Sequence, residues 1–103
     1  MKNIPAVFYG TAWKKDQTKE LVALALKSGF RGIDTACQPK HYNEEGVGDG
    51  IAASGIPRDQ LFIQTKYTPI GGQDPNKVPY NPKDDLRTQV RASLQVSLKN
   101  LRT

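Results

Sequence analysis

Apolar and polar positions change period along the chain, and these changes predict three strands that are each followed by a helix. Short apolar and β-branched runs are typical of buried strands, whereas apolar residues three and four positions apart are typical of one helix face. Strands and helices that alternate at this spacing predict an α/β fold with a parallel sheet and right-handed crossovers. The predicted strands span 7–12, 30–35 and 61–67, and the predicted helices span 17–28, 43–54 and 83–101.

Residues with known positional preferences mark the ends of the first two helices. Asp16 and Asn43 stand where a side-chain oxygen can accept hydrogen bonds from the first backbone amides of a helix. Gly29 and Gly55 stand just past the helices, where a residue that tolerates positive φ is favoured. We therefore expect Asp16 and Asn43 to be the capping residues of the first two helices.

The apolar stripe of each helix predicts the face that is buried against the sheet. The stripes consist of Leu21, Leu24, Ala25 and Ser28 in the first helix, Val47, Ile51 and Ala52 in the second, and Leu86, Val90, Leu94, Leu98 and Leu101 in the third.

A long connection rich in proline and glycine separates the third strand from the third helix. Residues 68–82 contain four prolines and two glycines, too many breakers for a regular element. Connections of this length are uncommon in compact domains and are often functional or form lids. Asp84 and Asp85 then open the third helix.

Composition excludes several classes of protein. The chain has 103 residues, 37% of them hydrophobic and 24% charged, which is typical of one globular domain or part of one. It has no apolar run of the length that a membrane span needs, its start does not resemble a signal peptide, and its single cysteine fits a reducing compartment. We therefore expect a cytoplasmic protein without a membrane partner.

The net charge of +5 raises the possibility of nucleic-acid binding, but its distribution argues against it. Lys14 and Lys15 are the only adjacent basic residues, and acids are interleaved elsewhere. Nucleic-acid binders concentrate basic residues on one face. The excess charge therefore indicates a solvated surface.

Polar residues at the carboxyl ends of the strands form the candidate site. Asp34 follows the second strand and Lys66 ends the third, although strands of a parallel sheet are normally apolar throughout. Binding and catalytic groups of α/β folds lie at this edge. From spacing alone, Asp34 and Lys66 are equally well explained as a structural ion pair. Tyr42 adds a functional interpretation, because a nearby ammonium favours the ionised form of a phenol and makes it a better proton donor.

Two other patterns are weaker. The glycine-rich run 46–50 imitates a phosphate-binding loop but does not follow a strand directly. Cys37 and His41 cannot by themselves complete a zinc site, which usually needs four ligands. We therefore predict no metal site and regard Cys37 as a packing residue.

Three motifs in order resemble the aldo-keto reductases, and the resemblance extends from about Val7 to Leu101. They are GFRGIDTA at 29–36, Tyr-Asn-Glu-Glu-x-Val-Gly at 42–48 and Leu-Phe-Ile-x-Thr-Lys at 61–66. The resemblance implies a TIM (β/α)8 barrel that uses NADPH to reduce carbonyl compounds. The chain would supply its N-terminal portion, about three and a half of the eight βα units.

The resemblance also implies roles for particular residues. Asp34, Tyr42 and Lys66 match the family's catalytic aspartate, tyrosine and lysine. The loop before Tyr42 is a few residues longer than in typical members, so either His41 or Tyr42 could occupy the tyrosine's place, and only Tyr42 has the chemistry of the donor. The remaining roles are cofactor binding by Gly10, Thr11, Ala12 and Asp34, and substrate binding by Trp13 and His41.

The resemblance leaves two functions open. The family's catalytic histidine lies on a fourth strand, and most of the site for the cofactor's phosphates lies later still, so this chain is expected to be a fragment that is inactive alone. One function is therefore that of an NADPH-dependent oxidoreductase acting on small carbonyl substrates. The alternative is a non-catalytic βα fragment that self-associates through its exposed sheet edges or binds another chain.

Overall fold

A computed structural model describes residues 3–103, and three parallel strands form its sheet in the order β1-β2-β3. Met1 and Lys2, which begin the stretch considered for a signal peptide, lie outside the described residues. The predicted parallel βα units are confirmed. The strands are β1 Phe8–Gly10, β2 Gly32–Asp34 and β3 Phe62–Gln64, and the helices are α1 Thr18–Lys27, α2 Glu44–Ser54 and α3 Leu86–Leu101.

The strand register places three residues in one row at the carboxyl edge of the sheet. Gly10 pairs with Asp34, and Asp34 pairs with Gln64. Each strand has three residues, so the regular ladder is shorter than the predicted ranges. Backbone bonds continue the pairing past the strands, because Thr35 N donates to the Gln64 carbonyl at 2.8 Å and Cys37 N donates to the Lys66 carbonyl at 3.0 Å.

The helix ends agree in part with the predicted caps. Asn43 caps α2 through a 2.9 Å bond from Gly46 N, and Gly55 ends that helix with φ of 72°. Asp16 was the wrong cap, because it lies inside a 3₁₀ turn, Lys15–Gln17, and α1 begins only at Thr18. The third helix begins at 86 rather than 83, because Asp85 is the residue that accepts the capping bond from a backbone amide.

One apolar core joins the helices to the sheet, and it agrees with the predicted stripes only in part. Ala25, Val47, Ile51 and Leu101 are buried as predicted, and other members of the stripes are not. Leu24 is 58% exposed, while Val22 and Leu26 of the same helix are buried. Ala52 is exposed as well. The predicted stripe in α1 is shifted by one residue from the face that is buried. Leu24 and Leu26 are both apolar, so periodicity alone does not show which of the two is buried. The core consists of Val22, Leu26, Ile33, Val47, Ile51, Leu61 and Leu101.

The third helix shows the largest departure from the prediction. Of its predicted stripe only Leu101 is buried, and the other four residues face solvent, with exposures of 64% for Leu86 and 49% for Leu94. Ser93 and Ser97 lie on the buried face instead. The reason is a buried carboxylate beneath α3, because Ser97 Oγ donates to Glu44 at 3.0 Å and a leucine there could not.

The glycine-rich run at 46–50 lies inside α2 and allows neighbouring helices to approach closely. A Cβ built on Gly50 would lie 2.7 Å from the Lys19 carbonyl oxygen of α1. A Cβ on Gly48 would collide with the Asn100 carbonyl oxygen of α3. These two glycines therefore serve helix packing.

The long loop over residues 68–82 is anchored to the body of the chain. Gln73 is 4% exposed and Tyr80 is 7% exposed. The Tyr80 hydroxyl donates to the Thr68 carbonyl at 2.6 Å, and Gln38 Nε2 donates to the Gly72 carbonyl at 2.7 Å. These contacts indicate a fixed wall rather than the lid that its length suggested. No helix among residues 3–103 combines the length and apolarity required to cross a membrane.

Candidate active site

An aspartate and a lysine meet at the carboxyl edge of the sheet. Lys66 Nζ lies 2.9 Å from both carboxylate oxygens of Asp34. Lys66 Nζ also donates to the Thr35 carbonyl at 2.9 Å, and Gln64 Nε2 donates to Asp34 at 2.7 Å. The two side chains are partly accessible, with 42% of Lys66 and 25% of Asp34 exposed. Two further groups, the Thr35 carbonyl and the Gln64 amide, thus hold the pair, which is still open to a ligand.

Tyr42 lies beside this pair. Lys66 Nζ is 5.5 Å from the centre of the Tyr42 ring. The backbone amides of His41 and Tyr42 both donate to the Gln38 carbonyl, which forms a tight turn in the loop after β2. Because of this turn, the side chains of His41 and Tyr42 lie against different partners.

The partner of His41 is Trp13. Their ring centres are 3.9 Å apart, and Trp13 N donates to the His41 carbonyl at 2.8 Å. Trp13 has a left-handed backbone with φ of 63° and is 66% exposed. The structure therefore brings Tyr42 to Lys66 and His41 to Trp13.

The segment after β1 leaves open space next to Asp34. A Cβ built on Gly10 would meet nothing within 4 Å. Thr11 is fully buried and fixes this segment, since its N and Oγ1 both donate to the Asp34 carbonyl at 3.2 Å and 2.8 Å. Ala12 is half-buried. A flat ligand could therefore approach Gly10 beside the Asp34–Lys66 pair.

Tyr42 also borders two cavities. A smaller cavity of about 150 Å³ lies toward Cys37, Glu44 and Asn100. A larger one of about 290 Å³ lies on the side of Trp13 and His41. Lys15, Lys40 and Lys77 line the larger cavity as well.

Sequence reasoning missed several residues around the site. Glu44 entered the sequence analysis only as part of the motif at 42–48, yet it is 5% exposed. Its carboxylate accepts bonds from Thr65 Oγ1 at 2.5 Å, Ser97 Oγ at 3.0 Å and Asn100 Nδ2 at 3.3 Å. Gln64 was also missed, although a polar side chain in the apolar run of a strand is a signal that could have identified it.

Cys37 occupies a buried position next to this carboxylate. Only 2% of it is exposed, and burial raises the pKa of its thiol, an effect that hydrogen bonds with Ser93 and Ser97 oppose. A thiol of this kind is unreactive at neutral pH. No group of three or more metal-binding side chains occurs within residues 3–103.

The family model of the aldo/keto reductase family matches residues 7–103, and the chain belongs to that family. Among relatives, the chain is 51% identical to the glyoxal reductase of Bacillus subtilis over 51 residues, which are 50% of this chain and 18% of that enzyme. It is 40% identical to a methylglyoxal reductase of Yersinia pestis over 75 residues, which are 73% of this chain and 24% of that enzyme.

The solved structures agree with this membership. An aldo/keto reductase from Brucella melitensis superimposes with a TM-score of 0.71 at 34% identity, over 97% of this chain and 34% of that one. An aldo-keto reductase from a deep-sea metagenome library gives the same TM-score at 33% identity, over 97% of this chain and 32% of that one. The chain therefore spans about a third of the TIM barrels it matches.

Proposed function

We propose that this chain carries the proton-donating part of an NADPH-dependent oxidoreductase that reduces aldehydes or ketones to alcohols. The observation that carries the proposal is the position of Tyr42 beside Lys66, which is itself bonded to Asp34. Membership of the aldo/keto reductase family supports the class of reaction. A relative in Saccharomyces cerevisiae, 43% identical over 65 residues, is a glycerol 2-dehydrogenase (NADP(+)), which supports the cofactor.

Each of the three side chains has a role in this proposal. Tyr42 donates its phenolic proton to the oxygen of the reduced carbonyl. The Lys66 ammonium stabilises the phenolate that remains, and Asp34 holds the ammonium in position. When bound, NADPH supplies the hydride. The residues proposed to lie against its nicotinamide are Gly10, Thr11, Ala12 and Asp34.

The chain alone is proposed to be inactive. Family resemblance assigns the clamp on the cofactor's phosphates to later parts of the barrel, and this chain covers about a third of the barrels it matches. A proton donor without an oriented hydride does not give reduction, because the reacting atoms must be held about 3–3.5 Å apart.

The test uses a complete barrel in which this chain replaces the superimposed third of the Brucella melitensis aldo/keto reductase. We expect Tyr42→Phe to lower kcat by at least about 10²-fold, the usual value of a general acid. The matched control is Tyr9→Phe, which changes the same chemical group on β1. His41→Ala should retain kcat and raise KM, because His41 lies against Trp13 rather than Lys66. Retained turnover in Tyr42→Phe would overturn the assignment.

A second candidate function is favoured by the exposed face of α3. We propose that the chain can instead act as a non-catalytic unit that pairs with a second copy of itself. Leu86, Val90, Leu94 and Leu98 form a continuous apolar stripe that is 36–64% exposed. Both outer strands, β1 and β3, are paired on one side only among the described residues.

A further inference from the structure

Three lysines converge on the larger cavity beside Tyr42. Lys15 follows β1, Lys40 lies in the loop after β2, and Lys77 lies in the long loop after β3. Because these residues come from three separate segments, the fold brings them together rather than a local run of basic sequence. Trp13, His41 and Tyr42 supply the aromatic part of the same wall.

Hydrogen bonds hold two of these segments in fixed relation. Asn43 Nδ2 donates to the Lys15 carbonyl at 3.1 Å, and Trp13 N donates to the His41 carbonyl at 2.8 Å. The loops after β1 and β2 are therefore tied together on either side of the cavity. The positions from which Lys15 and Lys40 reach it are set before any ligand binds.

None of the three lysines forms an ion pair with a carboxylate of residues 3–103, and no acidic residue lines this cavity. Asp74, the acid closest in sequence to Lys77, accepts a bond from Asn76 N at 3.0 Å. Three lysines without carboxylate partners thus line one cavity. A cluster of positive charge of this kind raises the local concentration of anions.

From this convergence we infer that the reductase acts on small carbonyl compounds that also carry an anionic group, a carboxylate or a phosphate. The inference rests on the proposed function, and it specifies the substrate class of that site. The cavity of about 290 Å³ is at the small end of ligand cavities, which run from about 300 to 1,000 Å³. The anionic end would lie among the lysines, and the carbonyl would be directed toward the Tyr42 hydroxyl.

Binding to the 103-residue chain tests the inference without NADPH and without turnover. Trp13 is the only tryptophan in the sequence and lines the cavity, so its fluorescence reports occupancy directly. The probes are pyruvate and its neutral counterpart hydroxyacetone, and dihydroxyacetone phosphate and its neutral counterpart dihydroxyacetone. We expect each anion to bind more tightly than its neutral partner. The tighter of the two anions identifies whether a carboxylate or a phosphate is preferred.

Two variants and a control separate the cavity from general surface charge. Lys40→Gln and Lys77→Gln should each weaken the binding of the anions about two- to fivefold, the range of an exposed ion pair, and leave the neutral probes unchanged. Lys99→Gln, on the exposed side of α3, should change neither.

Three results would overturn the inference: equal binding of an anion and its neutral partner, an equal loss in Lys99→Gln, or no binding of either anion. None of them depends on the role of Tyr42. Failure of the proposed function would instead appear as turnover that survives Tyr42→Phe in the complete barrel. The two failures are therefore distinguishable.

Discussion

The Lys66 ammonium lies 2.9 Å from the carboxylate of Asp34, a residue from the neighbouring strand segment 32 positions earlier in the chain. The same nitrogen lies 5.5 Å from the centre of the Tyr42 ring and donates to the Thr35 carbonyl. Lys66 therefore lies close to both a carboxylate and the ring of a phenol, at the edge of the sheet where α/β proteins bind ligands.

Removing this ammonium should impair the reaction more than the fold. In the complete barrel we expect Lys66→Met to lower kcat by about 10²-fold, because no ammonium remains to stabilise the phenolate that proton donation would leave on Tyr42. Asp34 is partly exposed and keeps its bond from Gln64, so the charge that is left remains solvated. Circular dichroism should therefore show an unchanged fold. Lys99→Met is the control, and turnover of Lys66→Met at the parent rate would contradict the prediction.

The buried carboxylate of Glu44 should contribute much more to stability than that of Glu45. Glu44→Ala leaves three donors, Thr65 Oγ1, Ser97 Oγ and Asn100 Nδ2, without their acceptor. We expect the free energy of unfolding to fall by about 2–4 kcal/mol, because buried donors that lose their partners keep the cost of desolvation.

The neighbouring residue gives a matched control for this measurement. Glu45 is exposed and lies in the same first turn of α2, so Glu45→Ala removes a similar favourable charge near the helix N-terminus. Its cost should stay below about 1 kcal/mol. Urea unfolding of both variants measures the difference, and equal losses would show that the hydrogen bonds of Glu44 add nothing.

Much of the fold and of the candidate site could be predicted from the sequence. Prediction fails where packing decides which of two possible helix faces is buried. The order of strands and helices follows from period alone. The cap at Asn43 and the positive φ at Gly55 follow from local chemistry. The pairing of Asp34 with Lys66 follows from the rule that parallel strands share a carboxyl edge.

The face that α3 buries could not be derived in this way. Apolar periodicity favoured the stripe that contains Leu94, because leucine is normally buried in preference to serine. The structure buries Ser93 and Ser97 instead, because Ser97 donates to the Glu44 carboxylate and both serines bond to the neighbouring Cys37. Glu44 belongs to α2, some 50 residues earlier in the chain. A long-range polar contact of this kind leaves no period in the sequence.

Alkaline pH should destabilise the chain through Tyr80. Burial, with a contribution from the neighbouring Tyr67, raises the pKa of Tyr80 to about 12 from its ordinary value near 10. Between these two values the unfolded chain releases the proton and the folded chain keeps it, so the free energy of unfolding falls as pH rises from about 10 to 12. Below pH 10 the folded and the unfolded chain both keep the Tyr80 proton, so Tyr80 no longer makes the free energy of unfolding depend on pH.

The measurement compares the parent with Tyr80→Phe in urea at several pH values. The variant loses the 2.6 Å bond to the Thr68 carbonyl, so it should be less stable near neutral pH. The stability gap between the parent and the variant should narrow as pH rises from 10 to 12. A gap that stays constant over this window would contradict the prediction.

The exposed stripe of α3 should drive self-association. Leu94 is 49% exposed at the centre of the stripe, and we expect Leu94→Glu to shift the chain toward monomer in sedimentation at tens of micromolar. Leu24→Glu is the control, since Leu24 is 58% exposed on α1 and lies outside the stripe. A compact monomer for the parent chain would contradict this second candidate function, and equal effects of both variants would show that the surface is not specific.

The 103-residue chain should not oxidise NADPH in the presence of a reactive aldehyde. The proposed donor unit of Asp34, Tyr42 and Lys66 lies within consecutive segments of this chain. Hydride transfer additionally needs a cofactor held in one orientation, and the surface charge of +5 cannot provide it. Charges at the surface are screened within about 8 Å at physiological salt, so they attract NADPH without orienting it.

The assay is the absorbance of NADPH with a small aldehyde, measured for the parent chain and for Tyr42→Phe at two salt concentrations. We expect both proteins to match the uncatalysed rate, and we expect any NADPH binding to be weak and to decrease as salt is added. Turnover by the parent that disappears in Tyr42→Phe would contradict the prediction. That result would mean that associated copies of the chain supply the cofactor clamp, because only an oriented cofactor makes the rate depend on the Tyr42 hydroxyl.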